Sequence, residues 1–193
     1  GIPPDGFERT LAGIFPAGGA YDDASFGGLG AGDGQGGAGI TPIVANSWMH
    51  FMNAEVAVMT GGDPTAETLA GIRSHMNKVD DISGAPAMDQ AAIDAYIANF
   101  TTEWTAASSL DAKLELWAEE FWITQRGNGI DAYNSYRRNG YPKNLQPMVE
   151  PDPGPFPVSM WYPQNYAANN SNVTQKSDLT QRVFWNTNGP AVD

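Results

Sequence analysis

The sequence predicts a mainly α-helical fold with little β-structure, in which helix pairs are flanked by long irregular segments rich in glycine and proline. Apolar residues recur at spacings of three and four across residues 41–140, the period of amphipathic helices. Residues 1–40 instead hold 13 of the 22 glycines and show no such period. Prolines, asparagines and aromatics return in residues 141–193. We therefore predict a single unit over residues 1–193, made of a Gly-rich loop region, a helical region and an irregular tail.

Each predicted helix combines an apolar stripe with residues that start or stop a helix. The first stripe runs from Val44 to Met59 and ends before Gly61-Gly62. The second helix begins with Asp63 as N-cap and Pro64 at the first helical position, where a missing N–H costs nothing. The other predicted bounds are a start near Asp89, a helix from Asp111 to Gly127, and a short helix from Asn128-Gly129 to Gly140-Tyr141-Pro142. Short links between such helices favour antiparallel pairs, as in an α-solenoid or a bundle.

Charge and composition exclude several function classes. The chain has 22 acidic against 10 basic residues, a net charge of −12 and a pI of about 4.3. Binding to nucleic acid or to anionic lipid headgroups needs clustered Lys and Arg, so we expect neither partner. The absence of cysteine excludes disulfides and thiolate metal sites. No segment resembles a membrane span, and the sequence predicts no cofactor and no metal ion.

Two apparent motifs in the Gly-rich region lack the context that their chemistry needs. A match to G-x-G-x-x-G begins at Gly32, but no strand precedes it and Thr41-Pro42 intervene before the first helix. Asp22, Asp23 and Asp33 are oxygen ligands of the type that calcium prefers, yet their spacing matches neither an EF-hand nor a calcium-binding repeat. Solvated turn carboxylates are the favoured interpretation.

The candidates for acid–base catalysis are weak. Glu119 and Glu120 are adjacent on a helix and point about 100° apart, so they cannot face one substrate bond together. We expect both carboxylates to be exposed or paired with nearby arginines. His50 and His75 lie on helices among apolar residues and are expected to be satisfied or exposed rather than catalytic. A carboxylate pair from distant segments, as in a glycosidase, stays open.

Arg137 and Arg138 follow one another at a predicted helix end, where cations interact favourably with the helix dipole. Acidic partners are abundant in this chain. We therefore expect at least one of the two to be partly buried and to bind a carboxylate through both guanidinium nitrogens, in a structural role.

The residues that best suit ligand binding lie in the irregular segments. Tyr21 and Phe26 flank the Gly-rich run, and Trp161 lies in the proline-rich tail, where aromatic faces can stack on sugar rings or grip peptide side chains. Asp22 and Asp23 supply acceptors for hydroxyls or amines, and glycine lets the backbone approach a ligand closely. A neutral oligosaccharide is the first candidate ligand and a peptide the second, while packing of the loops is the alternative role of each ring.

Long stretches of the chain resemble the SusD/RagB-like outer-membrane nutrient-binding lipoproteins, most closely the SusD-like 2 subfamily. The clearest similarity is the signature KLELWAEEFWI at residues 113–123 followed by GNGIDAYNSYRRNGYP at residues 127–142. Further segments agree in order, namely 1–6, 15–19, 37–40, 51–57, 155–157, 162–163 and 183–185. The chain departs from the family pattern at Val158, where relatives often have arginine, so a potential charge partner is missing.

The resemblance implies a cell-surface subunit that covers a SusC-like TonB-dependent transporter of the outer membrane. Family members have TPR-like helix pairs that support irregular binding loops, and they are lipid-anchored through an N-terminal cysteine that this chain does not contain. The chain would then be the C-terminal portion of such a protein, with the N-terminal portion as an intramolecular partner that stabilises its helix pairs. No ligand residues are shared across the family, because its members bind different glycans, peptides and other compounds.

Residues and resemblance both favour non-catalytic binding of a nutrient for delivery to a transporter. Two alternatives remain open. A fragment of a secreted glycoside hydrolase would need two carboxylates facing each other across a pocket. A structural subunit of a surface complex would use its aromatic loops only to contact a partner protein.

Overall fold

The computed structural model describes residues 42–81, 87–146, 149, 151–152 and 154–187. The described part is mainly helical and contains no β-strand, which confirms the predicted fold class. Its α-helices are α1 (Asn46–Met59), α2 (Thr65–Asn77), α3 (Gln90–Ala106), α4 (Leu110–Thr124), α5 (Gly129–Asn139) and α6 (Gln164–Asn169). A 3-10 turn over Lys78–Asp81 follows α2.

Side-chain caps explain where three of the helices begin. Asp89 accepts a hydrogen bond from the backbone N–H of Ala91 at the start of α3, as the sequence predicts. Asn128 caps α5 in the same way, and Gly140 ends it with a left-handed φ of 78°. Ser109 caps α4, so that helix begins one residue earlier than the predicted Asp111.

Two further predicted helix bounds differ from the observed ones, both at turns. The second helix begins at Thr65 rather than Pro64, although the Asp63 side chain does accept the N–H of Thr65. α4 ends at Thr124, three residues before the predicted stop at Gly127, because residues 125–127 form a turn. Gly127 has a φ of 87°, which explains why this turn ends at a glycine.

Neighbouring helices of the first four run antiparallel, as the short links predict. Hydrogen bonds join the start of α1 to the end of α2, the start of α2 to the end of α3, and the start of α1 to the end of α4. One more bond joins the end of α2 to the start of α3 across their link, so the four helices form one bundle. The bonds that show this are Asn46 Nδ2 to Ser74 Oγ (3.0 Å), Gln90 Nε2 to Asn77 Oδ1 (3.1 Å), Trp104 Nε1 to Thr65 Oγ1 (2.8 Å) and Trp48 Nε1 to the carbonyl of Thr124 (2.8 Å).

Large aromatic side chains fill the core of this bundle. The Phe51 ring stacks on Phe121 with centroids 5.3 Å apart, and Trp117 packs against Phe121 at 5.4 Å. Burying a phenylalanine side chain stabilises a fold by about 1.5–3 kcal/mol. The buried cluster consists of Trp48, Phe51, Ala54, Ile72, Phe100, Trp104, Trp117, Ala118 and Phe121. The predicted stripes therefore do meet in one core.

Gly71 allows α1 and α2 to pack closely. A Cβ at this position would lie 2.7 Å from the Phe51 ring, far inside van der Waals contact. The ring is fully buried and has no room to move away. A glycine in the middle of a helix, where it costs about 1 kcal/mol in propensity, is thus explained by packing.

The tail packs against α5, and side chains of α5 bind its backbone. The Tyr133 hydroxyl donates to the carbonyl of Pro157 (2.6 Å), and Arg137 Nη1 donates to the carbonyl of Val158 (3.1 Å). Phe156 packs edge-on against Tyr136 at 5.0 Å. Val158 is fully buried, so an apolar residue suits this position. The irregular tail contains one short helix, α6, that the sequence analysis does not predict, because six residues carry no periodic stripe.

Candidate functional site

An open groove of about 510 Å³ lies between α1, α5, the end of α4 and the tail. Its volume is in the range of pockets that hold small molecules. We call it the α1–α5 groove. It is lined by Met52, Glu55, Val56, Met59, Phe121, Gln125, Asp131, Asn134, Ser135, Arg138 and Trp185.

The apolar side of the groove comes from the outer face of α1 and from Trp185. Met52, Val56 and Met59 follow one another at spacings of four and three, and their exposed fractions are 41%, 57% and 78%. Such a stripe usually faces a core. Trp185 is 38% exposed and has Arg137 stacked over its ring at 4.5 Å, so one guanidinium orients the indole. The groove therefore offers ligand-accessible apolar surface with one oriented aromatic ring.

The polar side of the groove is dominated by one ion pair. The two terminal guanidinium nitrogens of Arg138 donate to the carboxylate of Glu55. Nη1 binds Oε1, and Nη2 binds Oε2 at 2.8 Å. This hydrogen bonding raises the pKa of Arg138. The Glu55 side chain is only 17% exposed and that of Arg138 is 43% exposed. The prediction of a partly buried, bidentate arginine is confirmed by Arg138, which joins α5 to α1.

Three further polar side chains of the groove are held by short-range bonds. Asp131 Oδ2 accepts from Asn128 Nδ2 at 2.6 Å, which orients the carboxylate at the start of α5. Asn134 Oδ1 accepts from Arg137 Nη2 at 3.1 Å. Ser135 Oγ accepts from the amide of Asn139, one turn further along the helix. These side chains are thus preorganised before any ligand arrives.

Gln125 differs from the other lining residues. It follows α4, where its backbone N–H donates to the carbonyls of Phe121 and Trp122 at 3.2 and 3.1 Å. The residue is only 3% exposed, and its Oε1 is buried with no hydrogen-bond partner. Leaving a buried acceptor unsatisfied costs about 1–3 kcal/mol.

The two segments on which the resemblance chiefly rests, residues 113–123 and 127–142, contribute five of the groove's side chains. Asp131, Asn134, Ser135 and Arg138 lie in the second segment, and Phe121 lies in the first. The sequence analysis quotes these segments but does not identify the groove. Glu55 and Arg138 are 83 residues apart, and no local pattern indicates that they meet.

Most of the predicted binding residues cannot be compared with the groove. Tyr21, Asp22, Asp23 and Phe26 lie outside the described residues. Trp161 is described and is 48% exposed, as a binding residue would need to be. It does not line the α1–α5 groove. The role of all five residues stays a prediction.

Trp161 has other exposed rings beside it in the chain. Tyr162 and Tyr166 form an edge-on pair at 6.0 Å, and Lys176 lies over the Tyr162 ring at 5.3 Å. Tyr162 and Tyr166 are 40% and 48% exposed. The tail thus presents a second aromatic surface, separate in its residues from the groove lining.

The prediction of exposed or arginine-paired carboxylates is wrong for Glu120. This residue is only 8% exposed, and its Oε1 accepts from the Tyr96 hydroxyl at 2.6 Å. Burial raises the pKa of Glu120, and the nearby carboxylates of Glu119 and Glu103 add to the effect, while the Tyr96 bond opposes it. The helix stripe places Glu120 between α4 and α3, which adjacency to Glu119 alone does not reveal.

The two histidines differ in their surroundings. His50 Nδ1 lies 2.7 Å from Glu67 Oε2, so it is satisfied as predicted. His75 has a buried Nδ1 without a hydrogen-bond partner, which departs from the prediction. Burial, with a smaller contribution from Lys78, lowers the pKa of His75 to about 4. The imidazole of His75 is therefore neutral at pH 7.

A second cavity, of about 550 Å³, lies where the α1–α2 and α3–α4 links meet. Lys113 lines it and stacks over Trp104 at 5.5 Å, while Asp63 is engaged by Thr65. Its lining contains no aromatic residue and none of the buried polar atoms that lack partners. The α1–α5 groove is therefore the better candidate site.

The part of the chain that the structure describes shows neither a cluster of metal ligands nor a membrane-spanning helix. No group of three or more His, Asp or Glu side chains is placed to hold a metal ion there. Among the described helices, none is both long enough and apolar enough to cross a bilayer.

Two comparisons with known proteins give no match for this chain. A scan against protein-family models finds no match, and a search of curated proteins finds none either. The proposals below therefore rest on the geometry of the groove and on the resemblance in sequence.

Proposed function

We propose that this chain is a non-catalytic binding unit and that the α1–α5 groove holds a neutral oligosaccharide. The observation that carries the proposal is the combination, in one open groove, of the oriented Trp185 ring with preorganised polar side chains on α5. Sugar rings present apolar faces to aromatic residues and hydroxyls to carboxylate and amide oxygens. The groove offers both kinds of surface.

The engagement of the groove's carboxylates favours binding over hydrolysis. A glycosidase needs one carboxyl group as acid and a second as nucleophile or base. Both oxygens of Glu55 accept from Arg138, and Asp131 is tied to Asn128. Glu120, whose pKa burial raises, is not among the lining residues. A peptide is the second candidate ligand, since the exposed methionines of α1 suit varied apolar side chains.

The resemblance to SusD/RagB-like proteins supports a wider role for the unit. We propose that it belongs to a lipid-anchored protein on the cell surface, which presents its ligand to a SusC-like transporter in the outer membrane. The N-terminal portion of the same protein would be its structural partner. Co-purification of the full-length protein with a TonB-dependent transporter from outer membranes tests this role, and recovery without any transporter contradicts it.

Titration calorimetry with neutral hexasaccharides of glucose, mannose and galactose tests the binding proposal. We expect at least one of them to bind, and Trp185→Ala to weaken binding about tenfold or more, since stacking on an aromatic ring contributes about 0.5–1.5 kcal/mol beyond buried area. Trp161→Ala is the matched control. Binding that is lost in Trp161→Ala and kept in Trp185→Ala would place the site at the exposed aromatic surface around Trp161, and release of reducing ends would favour a hydrolase.

A further inference from the structure

Resting on the proposed function, we infer that the α1–α5 groove recognises two hydroxyls on adjacent carbons of a sugar ring through two side chains of α5. Asp131 Oδ1 accepts a hydrogen bond from one hydroxyl, and Asn134 Nδ2 donates to the oxygen of the other. The preferred ligand is therefore a hexose chain whose units keep two adjacent hydroxyls free, as chains linked through C1 and C4 do.

The lining residues of α5 lie on one face of that helix. Asp131, Asn134, Ser135 and Arg138 occupy positions i, i+3, i+4 and i+7, which share a face. From this face Arg138 reaches Glu55 of α1, its Nη2 donating to Oε2 at 2.8 Å. The face is therefore directed towards α1 and the groove between the two helices. Asp131 and Asn134 are neighbours on it, since residues three apart on a helix have Cβ atoms about 5–6 Å from each other.

Asp131 has one engaged carboxylate oxygen and one free one. Oδ2 accepts from Asn128 Nδ2 at 2.6 Å, which fixes the side chain. Oδ1 has no hydrogen-bond partner among the described residues, and it is not one of the fully buried polar atoms that lack partners, so it is open to solvent. A carboxylate oxygen only accepts, and hydrogen bonds to a charged acceptor are among the stronger ones.

Asn134 offers the opposite chemistry beside it. Because the Arg137 guanidinium only donates, the bond from its Nη2 at 3.1 Å fixes the Asn134 oxygen towards the arginine and turns Nδ2 away from it. Nδ2 has no partner within the described part of the chain and is not fully buried. The helix thus presents a free donor next to a free acceptor, and both side chains are held in place by other bonds.

Two adjacent hydroxyls match this arrangement, because a hydroxyl can donate and can also accept. One hydroxyl donates to the carboxylate while its neighbour accepts from the amide. The exposed ring of Trp185 and the side chain of Met52 line the same groove and can cover the apolar face of that sugar. A sugar that lacks either hydroxyl leaves one polar group of the groove without the hydrogen bond that water supplied, so its affinity is lower.

The first test uses hexasaccharides of glucose, mannose and galactose linked through C1 and C4, with a methyl group on each end so that adjacent free hydroxyls occur only at C2 and C3. Titration calorimetry compares the unmodified form of the chain that binds with its 2-deoxy, 3-deoxy and 6-deoxy forms. The 6-deoxy form is the control, since it has lost as many hydroxyls but keeps the adjacent pair. We expect the 2-deoxy and 3-deoxy forms each to bind about tenfold more weakly and the 6-deoxy form to bind within threefold of the unmodified chain.

The second test is Asp131→Ala, which removes the acceptor. Affinity for the unmodified chain should fall about tenfold, whereas one deoxy form, the one that lacks the donating hydroxyl, should bind the variant and the wild type equally. Asn134→Asp keeps an oxygen for Arg137 and removes the donor, so we expect the other deoxy form to be insensitive to it. Glu103→Ala is the control, since Glu103 is exposed and does not line the groove. A merely structural role for Asp131 would weaken all forms equally.

The outcomes separate the inference from the function on which it rests. If the unmodified chain binds but the 2-deoxy and 3-deoxy forms bind equally well, or Asp131→Ala weakens every form alike, the inference is wrong and the proposed function stands. The comparison of ligands on the wild type decides the inference even if a substitution prevents folding. If none of the neutral hexasaccharides binds, both are wrong.

Discussion

The α1–α4 bundle and the tail around α5 are held together in different ways. In the bundle, aromatic rings from α1, α3 and α4 form one buried cluster with Ile72 of α2, and helical hydrogen bonds satisfy the backbone. In residues 154–187 only α6 is helical, and much of the backbone is bound by side chains. Gln175, for example, binds both the N–H and the carbonyl of Tyr162 through its side-chain amide.

The bundle is therefore stabilised by many contacts and the tail by few. Phe121 of α4, for example, packs against both Phe51 of α1 and Trp117, so the packing of the bundle is shared among its elements. The tail is joined to α5 chiefly through Tyr133, Tyr136 and Arg137. Because Trp185 of the groove lies in the tail and Met52 lies in the bundle, the groove spans the two regions.

The largest effect is expected in the bundle, from Trp117→Ala. The side chain is 2% exposed, and its indole N–H donates to the carbonyl of Phe51 at 3.1 Å. Replacement leaves a cavity and removes the indole hydrogen bond, so we expect a loss of about 4 kcal/mol in the free energy of unfolding. Urea unfolding measures this loss. Trp161→Ala, on the exposed tail, should change it by less than about 0.5 kcal/mol. A loss below about 1 kcal/mol for Trp117→Ala would contradict the account of the core.

The next largest effect is the pH dependence of the bundle's stability, which arises from protonation of His75. Because burial lowers the pKa of folded His75 to about 4, the unfolded chain binds the proton first as pH falls. Stability from this group is fully present above about pH 6.5 and is lost progressively towards pH 4, by about 3 kcal/mol in total.

Urea unfolding of wild type and His75→Leu at pH 7 and pH 4.5 measures the contribution of His75. We expect the wild type to lose more stability between these two pH values than His75→Leu does. The carboxylates common to both proteins cancel in the comparison. An identical pH dependence in the two proteins would show that His75 is not the titrating group.

The third prediction concerns a substitution that should destabilise the tail and leave the bundle folded. Arg137 is 9% exposed, and its fork binds Val158 and Asn134 and lies against Trp185. We expect Arg137→Ala to cost about 2 kcal/mol, since a hydrogen bond from a charged group is worth about 1.5–3 kcal/mol. Hydrogen exchange should accelerate in residues 154–187 and remain slow in α1–α4.

Arg137→Lys is the matched control for that experiment. It keeps the positive charge, but an ammonium group cannot reproduce the planar fork, so we expect it to resemble Arg137→Ala. Equal acceleration of exchange in α1–α4 and in the tail would mean that the two regions unfold as one unit.

The smallest effect concerns the ion pair that joins α5 to the bundle. Arg138 is partly exposed, so its pair with Glu55 should contribute about 0.5–1 kcal/mol in spite of its bidentate geometry. A double-mutant cycle of Glu55→Ala and Arg138→Ala isolates this coupling from the other effects of each substitution. We expect the coupling to decrease at high salt. Coupling above about 2 kcal/mol would mean that the pair acts as a buried one.

Helices and their ends could be predicted from the sequence because the signals are local. The stripe that ends at Met59, the cap at Asp89 and the stop at Gly140 all involve residues within about one helical turn of one another. The sequence does not predict α6, because a helix of six residues has too few positions to show a period.

The sequence by itself therefore determined the helical class, the order of the helices and the presence of a bidentate arginine near residue 138. Only the tertiary structure decided that Glu120 is buried beneath Tyr96, that Glu55 is the partner of Arg138, and that Gln125 is buried beside the α1–α5 groove. The physical reason is distance along the chain. Glu55 and Arg138 are 83 residues apart, and which side chains meet over such a separation depends on how whole helices pack.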